Sequence, residues 1–268
     1  MELLEIRPGR KCYVNVLLNV NTSAPVAFFI HGAGGRSEQY SEILPLFESK
    51  YTIVLFDFLG HGNSDKPLTS FNLYSTSELL HDIEEIFNKY KANSGNIIVA
   101  HSYGTALATK LYNNHQNEIE KIILIGACVN KPPGSSHFIW YLPAFILEYI
   151  RFVFRTPFRQ RAFHPNTLQN NLQLILAEEA KSSKNPMFLM KSLCLGMIWA
   201  TRDEFRNIQA PCLLIGGERD GITPVAELEE LKNLIPNAVL EIIPSSGHIP
   251  MLENPDAVKQ VITKFLEL

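Results

Sequence analysis

The chain has 268 residues, enough to bury a large core as one big domain or two small ones. Hydrophobic residues make up 46% and charged residues 19%, which fits a soluble globular enzyme and leaves no low-complexity tract or charge block. The formal net charge of −3 provides neither a basic surplus for nucleic acid nor an acidic tail.

The opening run Met1-Glu2-Leu3-Leu4-Glu5-Ile6-Arg7 lacks the basic start and long apolar core of a signal peptide. Strands are predicted at Tyr13–Leu18 and Val26–Ile30. The second runs into His31-Gly32-Ala33-Gly34-Gly35, a flexible turn. The Ala33 N–H there is a candidate donor to a carbonyl oxygen that gains negative charge. His31, directly after a buried strand, is expected to shape this turn through hydrogen bonds. A glycine-rich turn after a strand also suits phosphate, but G-x-G-x-x-G and Gly-Lys-Ser/Thr are both missing. The next strand, Thr52–Phe56, leads into Asp57-Phe58-Leu59-Gly60-His61-Gly62-Asn63-Ser64. Asp57 and His61 on one turn are too few for a metal site, so the loop reads as structural. Ser75–Ala92 follows as an amphipathic helix, with Leu79, Leu80, Ile83, Ile86, Phe87 and Tyr90 on one face.

The strand Asn96–Ala100 leads into Ala100-His101-Ser102-Tyr103-Gly104, and Thr105–Tyr112 then reads as helix. A serine at such a sharp turn exposes its Oγ beside a helix N-terminus, the geometry of a nucleophile elbow. A serine in this position can also be a simple N-cap. Its backbone neighbour Tyr103 contributes a second candidate N–H donor.

After the strand Ile122–Ile125 the alternation stops at Val129 and resumes at Pro211. The insertion, about 129–210, carries Pro132, Pro133, Pro143, Pro157, Pro165 and Pro186 with aromatic residues throughout, and reads as a helical cap. Open parallel sheets bind ligands at the carboxyl ends of their strands, and the insertion leaves from such an end. Phe138 to Phe154 is expected to form a largely apolar helix that lines the entrance and transiently touches a lipid surface. Pro143, Glu148 and Arg151 make it a poor spanning segment.

Cys212–Ile215 is followed by Gly216-Gly217-Glu218-Arg219-Asp220-Gly221-Ile222-Thr223-Pro224 and the helix Val225–Leu234. Asp220 is the preferred acid, with Glu218 as the alternative, while Asp203 falls inside the insertion. A last strand, Val239–Ile243, leads into Pro244-Ser245-Ser246-Gly247-His248-Ile249-Pro250 and a helix over Pro255–Leu266. Of the eight histidines, only His248 lies late enough to follow such an acid. A serine hydroxyl needs a base, and the base needs a carboxylate on its other nitrogen. Ser102, His248 and Asp220 fill these roles. Strands alternating with helices imply an α/β architecture, a mostly parallel sheet covered on both faces.

These ordered motifs resemble the α/β-hydrolase fold of serine hydrolases over nearly the whole length. The resembling runs are His31–Gly35, Asp57-x-x-Gly60-His61-Gly62-x-Ser64, Ala100–Gly104, Gly217-x-x-Asp220 and Gly247-His248. Within the family the chain is similar to the abhydrolase-domain-containing group and, more distantly, to monoacylglycerol lipases. The resemblance points to ester or lipid substrates. Ala100 stands where the elbow usually has Gly, a change small enough to tolerate. His31 to Arg36 and His248 to Glu253 lack the terminal Asp of an acyltransferase run, which disfavours acyl transfer. Ser102 in place of Asp argues against dehalogenase and epoxide-hydrolase chemistry.

The expected activity is hydrolysis of a carboxylic ester with an apolar acyl or alcohol part, without metal or cofactor. His31, Phe138, Trp140 and Phe145 are candidate substrate contacts, and Phe152, Phe154 and Trp199 add to the apolar cap. An aminopeptidase or amidase would use the same triad, and a non-enzymatic ligand sensor or scaffold would keep the fold. The four cysteines, Cys12, Cys128, Cys194 and Cys212, lack a C-x-x-C pair and read as buried free thiols in a reducing, cytoplasmic setting.

Overall fold

The aliphatic runs assemble into one mixed sheet of eight strands. The structure is a computed structural model that describes residues 2–132 and 138–267, so Met1 and Pro133 lie outside the described residues. In chain order the strands are β1 (Glu2–Arg7), β2 (Arg10–Leu17), β3 (Val26–Ile30), β4 (Thr52–Phe56), β5 (Asn96–His101), β6 (Ile119–Ile125), β7 (Cys212–Gly217) and β8 (Ala238–Ile243). Across the sheet they run β1-β2-β4-β3-β5-β6-β7-β8. β2 is antiparallel to β1 and β4, and the remaining neighbours are parallel.

The helices are α1 (Pro45–Glu48), α2 (Thr76–Tyr90), α3 (Tyr103–Asn114), α4 (Ala144–Ile150), α5 (Arg155–Ala162), α6 (Pro165–Asn170), α7 (Leu172–Ser182), α8 (Met187–Gly196), α9 (Arg202–Arg206), α10 (Val225–Leu234), α11 (Pro250–Glu253) and α12 (Pro255–Glu267). Successive residues of a strand face opposite ways, so each central strand feeds two cores. Phe28, Ile30, Ile98 and Ala100 pack with Leu79, Ile83 and Phe87 of α2 and Leu107 of α3. Ala27, Phe29, Ile97 and Val99 pack with Val258, Ile262 and Phe265 of α12. Each such buried Val, Leu, Ile or Phe side chain contributes about 1.5–3 kcal/mol. The double coverage makes the sheet a rigid mount for the loops at its carboxyl edge.

β1 departs from the expectation, which began the strands at Tyr13. Its residues are exposed or half-buried, so the alternation that marks a half-buried strand is weak. Pairing with β2 holds it at the sheet edge, and Arg7 and Arg10 both pair with the buried Asp82 of α2.

Between β6 and β7 the chain leaves the sheet, and its described residues there form α4 through α9. The single helix expected over Phe138–Phe154 is corrected. Phe138–Tyr141 and Arg151–Phe154 are 3₁₀ turns, with the seven-residue α4 between them. Pro143, the residue before α4, has no N–H to donate and restrains Leu142, so a continuous helix cannot pass. Among the described residues no helix is long and apolar enough to cross a membrane.

Candidate active site

β5 ends at His101 and α3 begins at Tyr103, which leaves Ser102 alone between strand and helix. Its φ of 54° and ψ of −128° lie where L-residues seldom sit, at a cost of about 1–3 kcal/mol. Backbone bonds hold it there. The Ser102 N–H donates to Ile125 O at 2.8 Å, and Ser102 O accepts from Thr105 N at 2.8 Å and Thr105 Oγ1 at 2.6 Å. The Ser102 side chain does not cap α3. Its Oγ lies instead 2.9 Å from His248 Nε2.

His248 Nδ1 lies 2.7 Å from Asp220 Oδ2. An Nδ1–H donated to Asp220 leaves Nε2 as the acceptor that faces Ser102. Asp220 also performs the turn role that its glycine-bracketed setting implies. Its Oδ1 accepts from Ile222 N at 2.8 Å and Thr223 N at 2.9 Å, and its Oδ2 accepts from Thr223 Oγ1 at 2.7 Å. Burial pushes the Asp220 carboxyl up, but His248 and these donors together hold it below its ordinary value. The alternative acid, Glu218, is exposed and accepts from Ser245 N at 3.1 Å. Asp203 sits on α9, paired with Arg206.

The acid and base turns meet backbone to backbone. A Cβ on Gly217 would lie 1.9 Å from Gly247 O, so only glycine fits there. His101 adds a support that sequence reading assigned no role. Its Nε2–H donates to His248 O at 2.7 Å. Burial pushes the His101 ring down to about 3, so it stays neutral as a fixed donor.

The His31–Gly35 turn rests against Ser102. A Cβ on Gly32 would come within 2.8 Å of Ser102 Cβ, which excludes any side chain there. Ala33 is next in that turn, and Tyr103 opens α3, where an N–H has no partner inside the helix. The Tyr103 side chain is buried and its hydroxyl bonds Thr76 Oγ1 at 2.7 Å, so its contribution at Ser102 is backbone.

His31 as a substrate contact is corrected. Its ring is fully buried, with Nδ1–H donating to Gly32 O at 2.8 Å and Nε2 accepting from Phe58 N at 3.0 Å. No ring nitrogen is left for a substrate, and His31 shapes the turn. In the neighbouring loop Asp57 accepts from Ser37 N, Ser37 Oγ and Asn63 N at 2.7–2.8 Å. Among the described residues no group of three or more His, Cys, Asp or Glu side chains forms a metal cluster.

Phe138 is 74% and Phe145 is 75% exposed, so both belong to the outer surface of the insertion. Trp140 stacks on Phe154 with ring centroids 5.6 Å apart. Other residues of the insertion reach the Gly34 turn. Asn185 Nδ2 donates to Gly34 O at 2.8 Å, and Met190 Sδ lies 3.4 Å from where a Gly34 Cβ would be. Arg36 pairs with Glu178 of α7 at 2.8 Å.

Glu253 joins the insertion to the base turn. Its Oε2 accepts from His164 N at 2.8 Å and Thr167 Oγ1 at 2.7 Å, and its Oε1 accepts from Gly247 N at 2.8 Å. His248 N itself donates to Ala162 O at 2.6 Å. Burial holds the Glu253 carboxyl above its ordinary value, against the pull of its three donors. Glu253→Ala would leave those donors unpaired, and is expected to cost on the order of 3 kcal/mol. Urea unfolding of parent and variant measures this. A loss below about 1 kcal/mol would show that the donors find other partners.

The sequence model described as alpha/beta hydrolase fold matches residues 25–255. The protein ABHD8 of Homo sapiens is 29% identical over 249 residues, covering 90% of this chain and 55% of that protein. The chain therefore spans about half the length of the curated relatives it matches. Among solved structures, the enol-lactonase from Burkholderia xenovorans LB400 superposes with a TM-score of 0.84 at 18% identity, covering 97% of this chain and 98% of that one. A thermophilic esterase from Thermogutta terrifontis gives 0.82 at 17% identity, with 96% and 93% covered.

Proposed function

The chain belongs to the alpha/beta hydrolase fold family, and from that premise we propose that it hydrolyses a carboxylic ester through an acyl-enzyme on Ser102. The observation that carries the reading is the unbroken relay from Ser102 Oγ through His248 to Asp220, at 2.9 and 2.7 Å. In the first half-reaction Ser102 Oγ bonds to the ester carbonyl carbon as His248 Nε2 takes its proton. Negative charge gathers on the carbonyl oxygen, and the N–H groups of Ala33 and Tyr103 receive it. His248 then protonates the departing alcohol, and the ester C–O bond breaks. Water repeats the cycle on the acyl-serine and releases the acid.

Asp220 fixes the imidazole tautomer and stabilises its positive charge, and Thr223 holds the Asp220 carboxylate in place. Met190 beside Gly34 supports an apolar acyl or alcohol part. A cytoplasmic setting goes with the reading, supported by the four buried free thiols.

Two measurements test it. A fluorophosphonate probe should label Ser102, and a panel of p-nitrophenyl esters and monoacylglycerols should be turned over many times per labelled site. Labelling with no turnover of any ester or aminoacyl amide makes the protein a ligand sensor. Absence of labelling makes it a scaffold. Faster cleavage of aminoacyl amides than of esters would move the assignment to an amidase.

A further inference from the structure

The outer surface of the insertion has aromatic side chains where a packed helix would carry polar ones. Phe145, Tyr149 and Phe152 are spaced i, i+4, i+7, so they form one stripe along α4 and the turn that follows. They are 75%, 83% and 61% exposed, while Leu147 on the other side is fully buried. Tyr141 lies one turn earlier and is 75% exposed. The polar residues of the same segment are used toward the protein. Glu148 Oε2 accepts from Met187 N at 2.9 Å at the start of α8, and Arg151 donates to Asn185 O at 3.2 Å just before it. A monomer in water seldom leaves such a surface uncovered.

Charge says what covers it. Of the four arginines in residues 138–162, Arg151 pairs with Glu148, Arg159 pairs with Glu179 of α7, and Arg161 donates to Gly221 O at 2.9 Å. Arg155 directly follows the stripe, is exposed, and has no ion-pair partner among the described residues. Exposed aromatic rings beside arginines match the headgroup region of an anionic bilayer. There tyrosines sit at the boundary, phenylalanines enter the acyl layer and cations meet phosphates.

We propose that the 138–158 surface docks the protein on an anionic lipid bilayer, through Tyr141, Phe145, Tyr149 and Phe152, with Arg155 at the headgroups. The broken segment lies on the surface and does not enter as a span. Docking is separate from bond cleavage, so it stands or falls independently of the acyl-enzyme reading.

Co-sedimentation with vesicles of phosphatidylcholine alone, and of phosphatidylcholine mixed with phosphatidylserine, tests this in the full chain. The parent should bind the mixed vesicles and bind the neutral ones more weakly. Arg155→Gln should weaken binding to the mixed vesicles about fivefold, as for one basic residue near a charged surface. Tyr149→Asp with Phe152→Asp should weaken it more than about tenfold, because a carboxylate resists transfer from water. Both positions are exposed, and an unchanged thermal midpoint confirms that the variants fold. Absence of parent binding, equal binding to the two vesicle types, or full binding by the double variant each overturns the proposal. A concentration-dependent dimer that the double variant abolishes, with no vesicle binding, assigns the surface to a second copy instead.

Discussion

Ser102→Ala should lower ester turnover by on the order of 10⁴ to 10⁶, with the fold intact. The side-chain hydroxyl makes no cap to α3, so removing it takes away its bond to His248 and little else. The backbone bonds to Ile125 and Thr105 that hold the turn do not involve Oγ, and alanine must adopt the same φ of 54°. Stability is therefore expected to stay within about 1 kcal/mol of the parent. The residual rate should come from the backbone donors and substrate positioning, which survive the change. Steady-state kinetics on one ester, with unfolding curves for both proteins, decide the matter. A variant that keeps more than about a tenth of the parent rate removes Ser102 from the chemistry, since a lost nucleophile leaves far less than that.

The parts of the molecule visible in the sequence are those written by short-range rules. Val26–Ile30 and Thr52–Phe56 form strands with the expected bounds, because unbroken aliphatic runs have no competing period. Ser102, Asp220 and His248 each follow the carboxyl end of a strand, and a parallel sheet delivers such positions to one edge. What escaped depends on contacts between distant segments. Glu253 reaches His164 across 89 residues, and nothing local in Pro250–Glu253 marks it as a joint. His101 reaches His248 O across 147 residues. The direction in which the aromatic residues of the insertion face depends on distant contacts too. Composition marks Phe138 and Phe145 as apolar, but whether an apolar residue faces a pocket or the solvent is decided by neighbouring helices. Glu148 and Arg151 anchor this segment to α8 by their polar ends and leave its rings outside.

The fold should also lose stability steeply on mild acidification, at a pH where most carboxylates are still ionised. His31 and His61 are fully buried and His101 nearly so, and burial pushes each ring down to about 3. In the unfolded chain a histidine takes up its proton near ~6.5. The folded value is thus depressed, so the unfolded state binds more protons throughout the interval between the two. Stability is complete above the unfolded value and falls as the pH drops through that interval. Three histidines together give a slope of about 4 kcal/mol per pH unit below roughly pH 6. A typical domain has only about 5–15 kcal/mol in total. His31 and His61 reinforce each other, since their rings lie 5.1 Å apart and two charges there would repel. His61→Asn should preserve the donor to Leu59 O, now made by the His61 Nδ1–H at 3.1 Å, and reduce the slope by about a third. Urea unfolding at pH 7, 6 and 5 gives the slope directly. A change of less than about 1 kcal/mol between pH 6 and 5 would mean that these rings accept protons in the folded state. Their place beneath the Gly32 turn and behind His248 gives the measurement a second meaning. If the native site is held together by neutral histidines, activity lost in mild acid should be accompanied by unfolding. If activity falls while the unfolding free energy does not, the acid-sensitive step lies in the relay and not in its supports.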